Sequence, residues 1–373
     1  MAGFGLRALK KVQAEDTSKQ SRIYSKHIVY GDNFYAALVY LKLAKAHGGE
    51  AVQLVSPCLI SKDSIDGEWK CSLSTLRSEA AANTLITMNP ELEIFPIETK
   101  NVFYKDTKFH KFGGRAKPHE LKEDEAFFTD AAYNIKLDNL FTAEQLENLD
   151  ETLEKNTLVK YIDSIEKCQP TDLVEVTNYK LKTGEAETLE CEKLYWCESP
   201  KIFYKKVENT DELSDQIGAY CTNLEHRIGL TVHFELKGKL YDGEGNVFLP
   251  QSVTYELGHF ISEFKKYDPE TNTQEFACMM FVDEDEVNEE DLAKKIKLMK
   301  RVIGRVFSDF DKIEYNERIQ YDREILINKT DDSLVDKKVN VVFIGPGAPL
   351  QKEEHKDFKY LSRGIISLKS LEV

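Results

Sequence analysis

The sequence predicts an α/β protein. A Rossmann-like domain is assembled from discontinuous segments, and an α+β domain containing an antiparallel sheet is inserted into it. Three observations carry this expectation. The stretch His27 to Ser56 reads strand, glycine turn, helix, strand. A long middle portion alternates apolar and polar residues between turn signals. Near the end, Val339 to Ile344 is an apolar β-branched run closing on Gly345-Pro346-Gly347.

Taken in order, Ile28 to Tyr30 is a short buried-type strand that breaks at Gly31. Phe34, Ala37, Leu38, Leu41 and Lys45 then fall at helical spacing, with Asn33 as N-cap and Gly48-Gly49 as the stop. Ala51 to Val55 is a second strand, so this is a βαβ unit with a parallel pair. Ser72 to Met88 has helical character, Glu93 to Ile97 reads as a short strand, and Thr142 to Ile165 reads as one helix with acidic residues near its start. Leu173 to Lys182 and Glu187 to Cys197 are two strands joined at Thr183-Gly184-Glu185. Gly229 to Leu236, Ser252 to Ile261 and Glu275 to Val282 continue as antiparallel strands. The acidic run Asp283 to Asp291 leads into an amphipathic helix over Leu292 to Phe307, whose dipole it suits. A last helix is expected around Tyr360 to Lys369. The first 26 residues read as an arm, with a short helix around Leu6 to Val12.

Composition narrows the function classes. The chain has 373 residues, is 41% hydrophobic and carries a net charge of −15, which supports a full core and opposes a protein built to hold nucleic-acid backbones. No apolar run reaches the roughly 18 residues of a membrane span. The seven cysteines lack framework spacing and CxxC pairs, so reduced thiols and a cytoplasmic setting are expected. No HExxH, HxH, GxSxG or GxxxxGK[ST] pattern occurs, so zinc-hydrolase, serine-hydrolase and P-loop readings lack their key residues.

A strand–glycine–helix turn offers free backbone N–H groups to a pyrophosphate. The dinucleotide fingerprint falls here on Gly31, Asn33 and Ala36, with a side chain where its middle glycine belongs. Such sites end their second strand on an acid that takes the ribose hydroxyls; this chain has Ser56, which is no bidentate anionic acceptor.

In order of elements the chain resembles the flavin-dependent amine oxidases and their relatives, the protoporphyrinogen oxidases, phytoene desaturases and UDP-galactopyranose mutases. Four stretches carry the resemblance: the Gly31 βαβ unit, Asp66-Gly67-Glu68-Trp69, the hairpin Val174 to Cys197 with Ser199-Pro200, and Phe343 to Gly347. It implies an FAD/NAD(P)-binding domain in three parts, 27–104, 151–208 and 335–373. Substrate-domain segments would lie at 105–150 and 209–334, behind an arm at 1–26. It further implies FAD held by Gly31, Asn33, Ala36, Ser56, Gly67, Gly345 and Gly347, with hydride passing from a small or mid-sized organic substrate. Pro346 stands where the family's last motif carries an acid. With Asn33 and Ser56 this leaves two readings, a divergent flavin-dependent oxidoreductase or a flavin-fold protein that has lost FAD and serves as a binding or partner subunit, for a protein partner or as a homo-oligomer. A turn for another nucleotide is a third.

The densest basic patch is Phe112-Gly113-Gly114-Arg115 with His110, Lys111, Lys117 and His119. It reads as a solvated loop or as an anion receiver, in which Arg115 would contact substrate. His233 and His259 could act as acid–base groups or simply pack in the core.

Overall fold

The structure is a computed structural model. It describes residues 22–65, 75–76, 79–88, 90, 94–97, 101–111, 132–135, 149–168, 178–184, 187–213, 215–255, 260–329, 340–350 and 361–371. The strands are β1 Arg22–Tyr30, β2 Val52–Ser56, β3 Thr75–Leu76, β4 Ile94–Ile97, β5 Val102–Lys105, β6 Lys108–Lys111, β7 Ala132–Ile135, β8 Thr157–Val159 and β9 Ile162–Cys168. They continue as β10 Asn178–Thr183, β11 Thr188–Trp196, β12 Glu225–Leu236, β13 Gly245–Leu249, β14 Phe260–Phe264, β15 Gln274–Val282, β16 Tyr315–Lys329 and β17 Val341–Phe343. The helices are α1 Phe34–His47, α2 Glu79–Met88, α3 Leu149–Asn156, α4 Pro200–Lys206, α5 Asp215–Asn223, α6 Gln251–Thr254, α7 Glu289–Val306 and α8 Leu361–Ser367.

The first sheet runs β8-β2-β1-β11-β10-β9, with β17 also on β11. β11 therefore has two neighbours along one edge: β10 pairs antiparallel with its first half and β17 pairs parallel with Leu194 to Trp196. β8, β2, β1, β11 and β17 are mutually parallel. β2 and the C-terminal halves of β1 and β11 are buried on both faces, which explains their apolar runs. Val29, Leu54 and Tyr195 pack with α1 on one face. Ile28, Tyr30, Val55 and Trp196 pack with Phe203 of α4 and Tyr220 of α5 on the other.

The second sheet runs β16-β12-β15-β14-β13-β5-β6 and is antiparallel except where β5 lies parallel to β13. Its two faces separate by the period-two rule. Leu230, Val232, Phe234, Phe276, Cys278 and Met280 meet Met299, Val302 and Ile303 of α7. The opposite residues Phe248, Ile261, Ala277 and Met279 join the core around α1 and α8. That core is shared by the two sheets. A small third sheet has the order β3-β7-β4.

The expected βαβ unit, the 183–185 hairpin, the amphipathic α7 and the closing strand and helix are all present. Four expectations are corrected. β1 begins at Arg22, inside the expected arm, because it pairs with β11 from Arg22↔Thr188 onward. Of the helix expected over Thr142 to Ile165, the described residues from Leu149 on are helical only at α3, and 142–148 lie outside them. Beyond Asn156 the chain pairs with β2, Leu54 opposite Thr157, and becomes β8 and β9, so long-range pairing overrides local helical spacing. The helix expected from Ser72 starts at Glu79, after a two-residue strand. Ser252 belongs to the helical turn α6, where the Val253 and Thr254 amides bond the Pro250 carbonyl, and not to a strand. The 6–12 helix lies outside the described residues.

Candidate cofactor crevice

The parallel strands β1 and β11 are adjacent, yet their following helices α1 and α4 cover opposite faces of the sheet. Loops leaving two such strands diverge and open a crevice beyond their carboxyl ends, where α/β sheets take ligands. Gly31, Asn33 and Ala36 stand on one side of it, Cys197 and Ser199 on the other. Gly31 has φ +152°, and a Cβ there would lie 3.0 Å from the Cys197 Cβ and 3.3 Å from the Ala36 Cβ. Glycine and alanine are thus required by close approach of turn and strand.

Asn33 fills the turn. Its Oδ1 accepts from the Ala36 amide at 3.0 Å, capping α1, while its Nδ2 donates to the Cys197 carbonyl at 2.6 Å. One side chain both satisfies a helix N–H that would face a phosphate and ties the two lips of the crevice together. Asp32 is exposed beside it, with the Cys58 thiol 3.6 Å from its Oδ2. Burial, then the charge of Asp32, push the Cys58 thiol up; burial, then the charge of Glu198, do the same for the Tyr30 phenol. The mouth of the crevice carries carboxylates.

Ser56 is wholly buried; its carbonyl accepts from the Lys160 amide at 2.8 Å and its Oγ from the Cys58 amide at 3.4 Å. At the far side Gly345 has φ +125°, with no described residue within 4 Å of a would-be Cβ, and its amide donates to Ser367 Oγ at 2.9 Å. The Gly347 carbonyl accepts from the Tyr220 hydroxyl at 2.6 Å. Arg363, 3% exposed, donates from Nε to the Pro346 carbonyl and from Nη2 to the Ala348 carbonyl. Gly67, Arg115 and His259 lie outside the described residues, as do Trp69 and Cys71.

His233 sits on the inner face of the second sheet, 3.3 Å from Glu275 Oε2, which also accepts from Lys265 Nζ at 2.7 Å. Burial would raise the Glu275 carboxyl, but these two partners hold it well below the usual range. Lys265 and Glu275 form an ion pair, and His233 joins it by a hydrogen bond across neighbouring strands. The described cysteines are free thiols. Among the described residues no group of three or more His, Cys, Asp or Glu is placed to hold a metal, and no helix is long and apolar enough to cross a membrane. Asp32, Cys197, Tyr220 and Arg363 escaped the sequence reading. Asp32 follows the turn glycine directly and could have been read there, whereas the others act through partners far away in the chain.

No protein-family model matches this chain, and neither does any curated protein. Solved structures do. An oxidoreductase from Methanosarcina mazei aligns over 92% of this chain and 99% of its own, with a TM-score of 0.55 and 11% identity. Putrescine oxidase bound to putrescine covers 92% and 97% at a TM-score of 0.55 and 9% identity. Cyclohexylamine oxidase from Brevibacterium oxydans IH-35A covers 92% and 96% at 0.56 and 9%. The fold is amine oxidase-like. At these identities the likeness establishes architecture alone.

The amine oxidase-like fold implies FAD, and the residues present can be tested against it. A pyrophosphate needs free N–H groups at the α1 terminus, yet the Ala36 amide is bonded to Asn33. It also needs positive or neutral surroundings, yet Asp32 and Glu198 supply negative charge. The ribose acceptor is replaced by the wholly buried Ser56. The described residues do not fit the dinucleotide half of FAD.

Proposed function

We propose that this chain is an amine oxidase-like protein that works without a bound dinucleotide, as a binding or partner subunit. One observation carries the reading: the Asn33 side chain occupies the phosphate-binding turn and bonds across it to Cys197. The contact is internal, so a ligand would have to break two hydrogen bonds and approach a carboxylate. The test is the visible absorbance of purified protein and calorimetric titration with FAD. A colourless protein showing no heat of binding is expected. A retained flavin, or stoichiometric uptake, overturns the reading.

A second reading, a flavin-dependent oxidoreductase acting on a small organic substrate, is favoured by the close-packed Gly31 turn and the open space beside Gly345. It requires Asn33 to swing away. Asn33→Gly separates the two: flavin uptake appearing only in this variant would identify a crevice closed by that one side chain.

A further inference from the structure

On the outside of the second sheet, α7 presents an unbroken run of bases. From Leu292 to Ser308 the sequence holds Lys294, Lys295, Lys297, Lys300, Arg301 and Arg305 and no acid, inside a chain of net charge −15. Two of these are used internally: Lys295 pairs with Glu286 at 2.9 Å, and Lys300 pairs with Glu317. Lys294, Lys297, Arg301 and Arg305 are exposed and form no ion pair with any described residue. At about 100° per residue these four fall within about 80° of one another around the helix. They lie opposite Met299, Val302 and Ile303, which seat α7 on the sheet. The result is a single line of cations about 16 Å long.

Helix stability does not ask for this line. Only Arg305 stands in the last turn, where a cation suits the dipole. Lys297 with Arg301, and Arg301 with Arg305, are like charges at i, i+4, which weaken a helix. Acids stand at the two ends, Glu290 one turn before Lys294 and Asp309 and Asp311 beyond the last turn. Asp309 takes Lys312 at 2.7 Å, and Asp311 lies against Gly304. β6 meets the end of α7 where Phe109, 38% exposed, stacks on Phe307 with ring centroids 5.6 Å apart, and it brings the exposed Lys108 and Lys111 there.

A compact anion would reach one or two of four cations spread over this length. A folded protein partner takes its affinity from buried aromatic or aliphatic anchors. Beside the line α7 offers instead the small residues Ala293, Gly304 and Ser308. A layer of anionic headgroups needs no anchor, since each base near it contributes separately. A helix standing proud of a sheet is convex and meets a plane along one line, which is how these bases are placed. Screening confines the repulsion from the rest of the acidic chain to about 10 Å at moderate salt.

We propose that α7 is the face by which this chain docks on an anionic lipid surface, its axis along the membrane plane and Lys294, Lys297, Arg301 and Arg305 among the headgroups. Flotation of the full chain with vesicles of phosphatidylcholine containing about 30% phosphatidylserine is expected to carry it upward at about 0.1 M salt and to release it at about 0.5 M. Vesicles of phosphatidylcholine alone should leave it behind. Lys297→Gln with Arg301→Gln should weaken binding at least about tenfold, since each base near such a surface contributes severalfold. Lys239→Gln, which removes a lysine paired with Asp242 away from the line, should leave binding unchanged. Circular dichroism checks that each variant folds. Failure to float with phosphatidylserine, or equal flotation without it, overturns the proposal. So does a chain indifferent to the paired α7 substitution, or one that Lys239→Gln weakens as much. Tighter binding to a DNA duplex than to the vesicles at the same salt also overturns it and makes nucleic acid the partner. Flavin uptake enters none of these outcomes.

Discussion

Gly364 of α8 lies against the phenol of Tyr35 on α1: a Cβ at Gly364 would be 2.1 Å from the hydroxyl and 2.5 Å from the ring carbon bearing it. The two helices touch through the absence of a side chain. Tyr35 is 4% exposed and cannot turn out to water without opening the shared core. Gly364→Ala should therefore lower stability by about 1–3 kcal/mol, as overpacking does, despite alanine's better helix propensity. Tyr35→Phe in the same chain removes the hydroxyl and should recover part of that loss. Urea denaturation of the single and double variants measures it.

Asn33 makes two bonds with one amide, and its variants should separate them. Asn33→Ala loses the cap of α1 and the donor to Cys197, a cost of about 1–2 kcal/mol. Asn33→Asp keeps a capping oxygen but sets a carboxylate against the Cys197 carbonyl, and should also destabilise. Thermal unfolding monitored by circular dichroism distinguishes the variants from the parent chain.

Arg363 holds the last glycine turn by the Pro346 and Ala348 carbonyls. Lysine cannot reproduce a planar fork with two diverging donors. Arg363→Lys should cost about 2 kcal/mol or more by leaving a buried carbonyl unpaired. Faster hydrogen exchange at the amides around Gly345 would locate the loss.

His27 is 6% exposed, its ring nitrogens find no hydrogen-bond partner among the described residues, and it lies tilted against His47 and edge-on to Tyr195. Burial, then the neighbouring His47, Lys26 and Lys193, lower it from 6.5 to about 4. The folded chain thus holds it neutral where the unfolded chain takes a proton. Its contribution is constant above pH 6.5 and is lost as pH falls from 6.5 towards 4, by at most about 1.4 kcal/mol per pH unit. His27→Leu should flatten this part of the stability–pH curve. An unchanged slope between pH 6.5 and 4 would show that other groups set it.

Local signals were legible in the sequence where a residue's neighbours in the chain are also its neighbours in space. Gly31, the Asn33 cap and the strand pair around Gly184 belong to this class. β8 and β9 did not: Thr157-Leu-Val and Tyr161-Ile are good strand residues, but they follow directly on the helical spacing of α3, and only the pairing of Thr157 with Leu54 settles the change. Ser56 reads as a ribose contact by position in a motif; its burial comes from the β8 pairing that brings Lys160 over it. Arg363 looks like any charged helix residue until the turn at Pro346 folds back upon it. The amine oxidase-like architecture was readable from element order, since the order of strands and helices does not depend on which side chains line the loops between them.

The position of β17 has a consequence for biosynthesis. β11 leaves the ribosome with β1 and β10 already available, but the partner for Leu194 to Trp196 is Val341 to Phe343, and the bulk of the second sheet is made in between. Until then Trp196, wholly buried at the end, sits on a half-open sheet edge. The nascent chain must keep that edge from other strands throughout synthesis of the insert, so slow translation or premature termination before Val341 should be far more damaging than loss of the same number of residues from a surface loop.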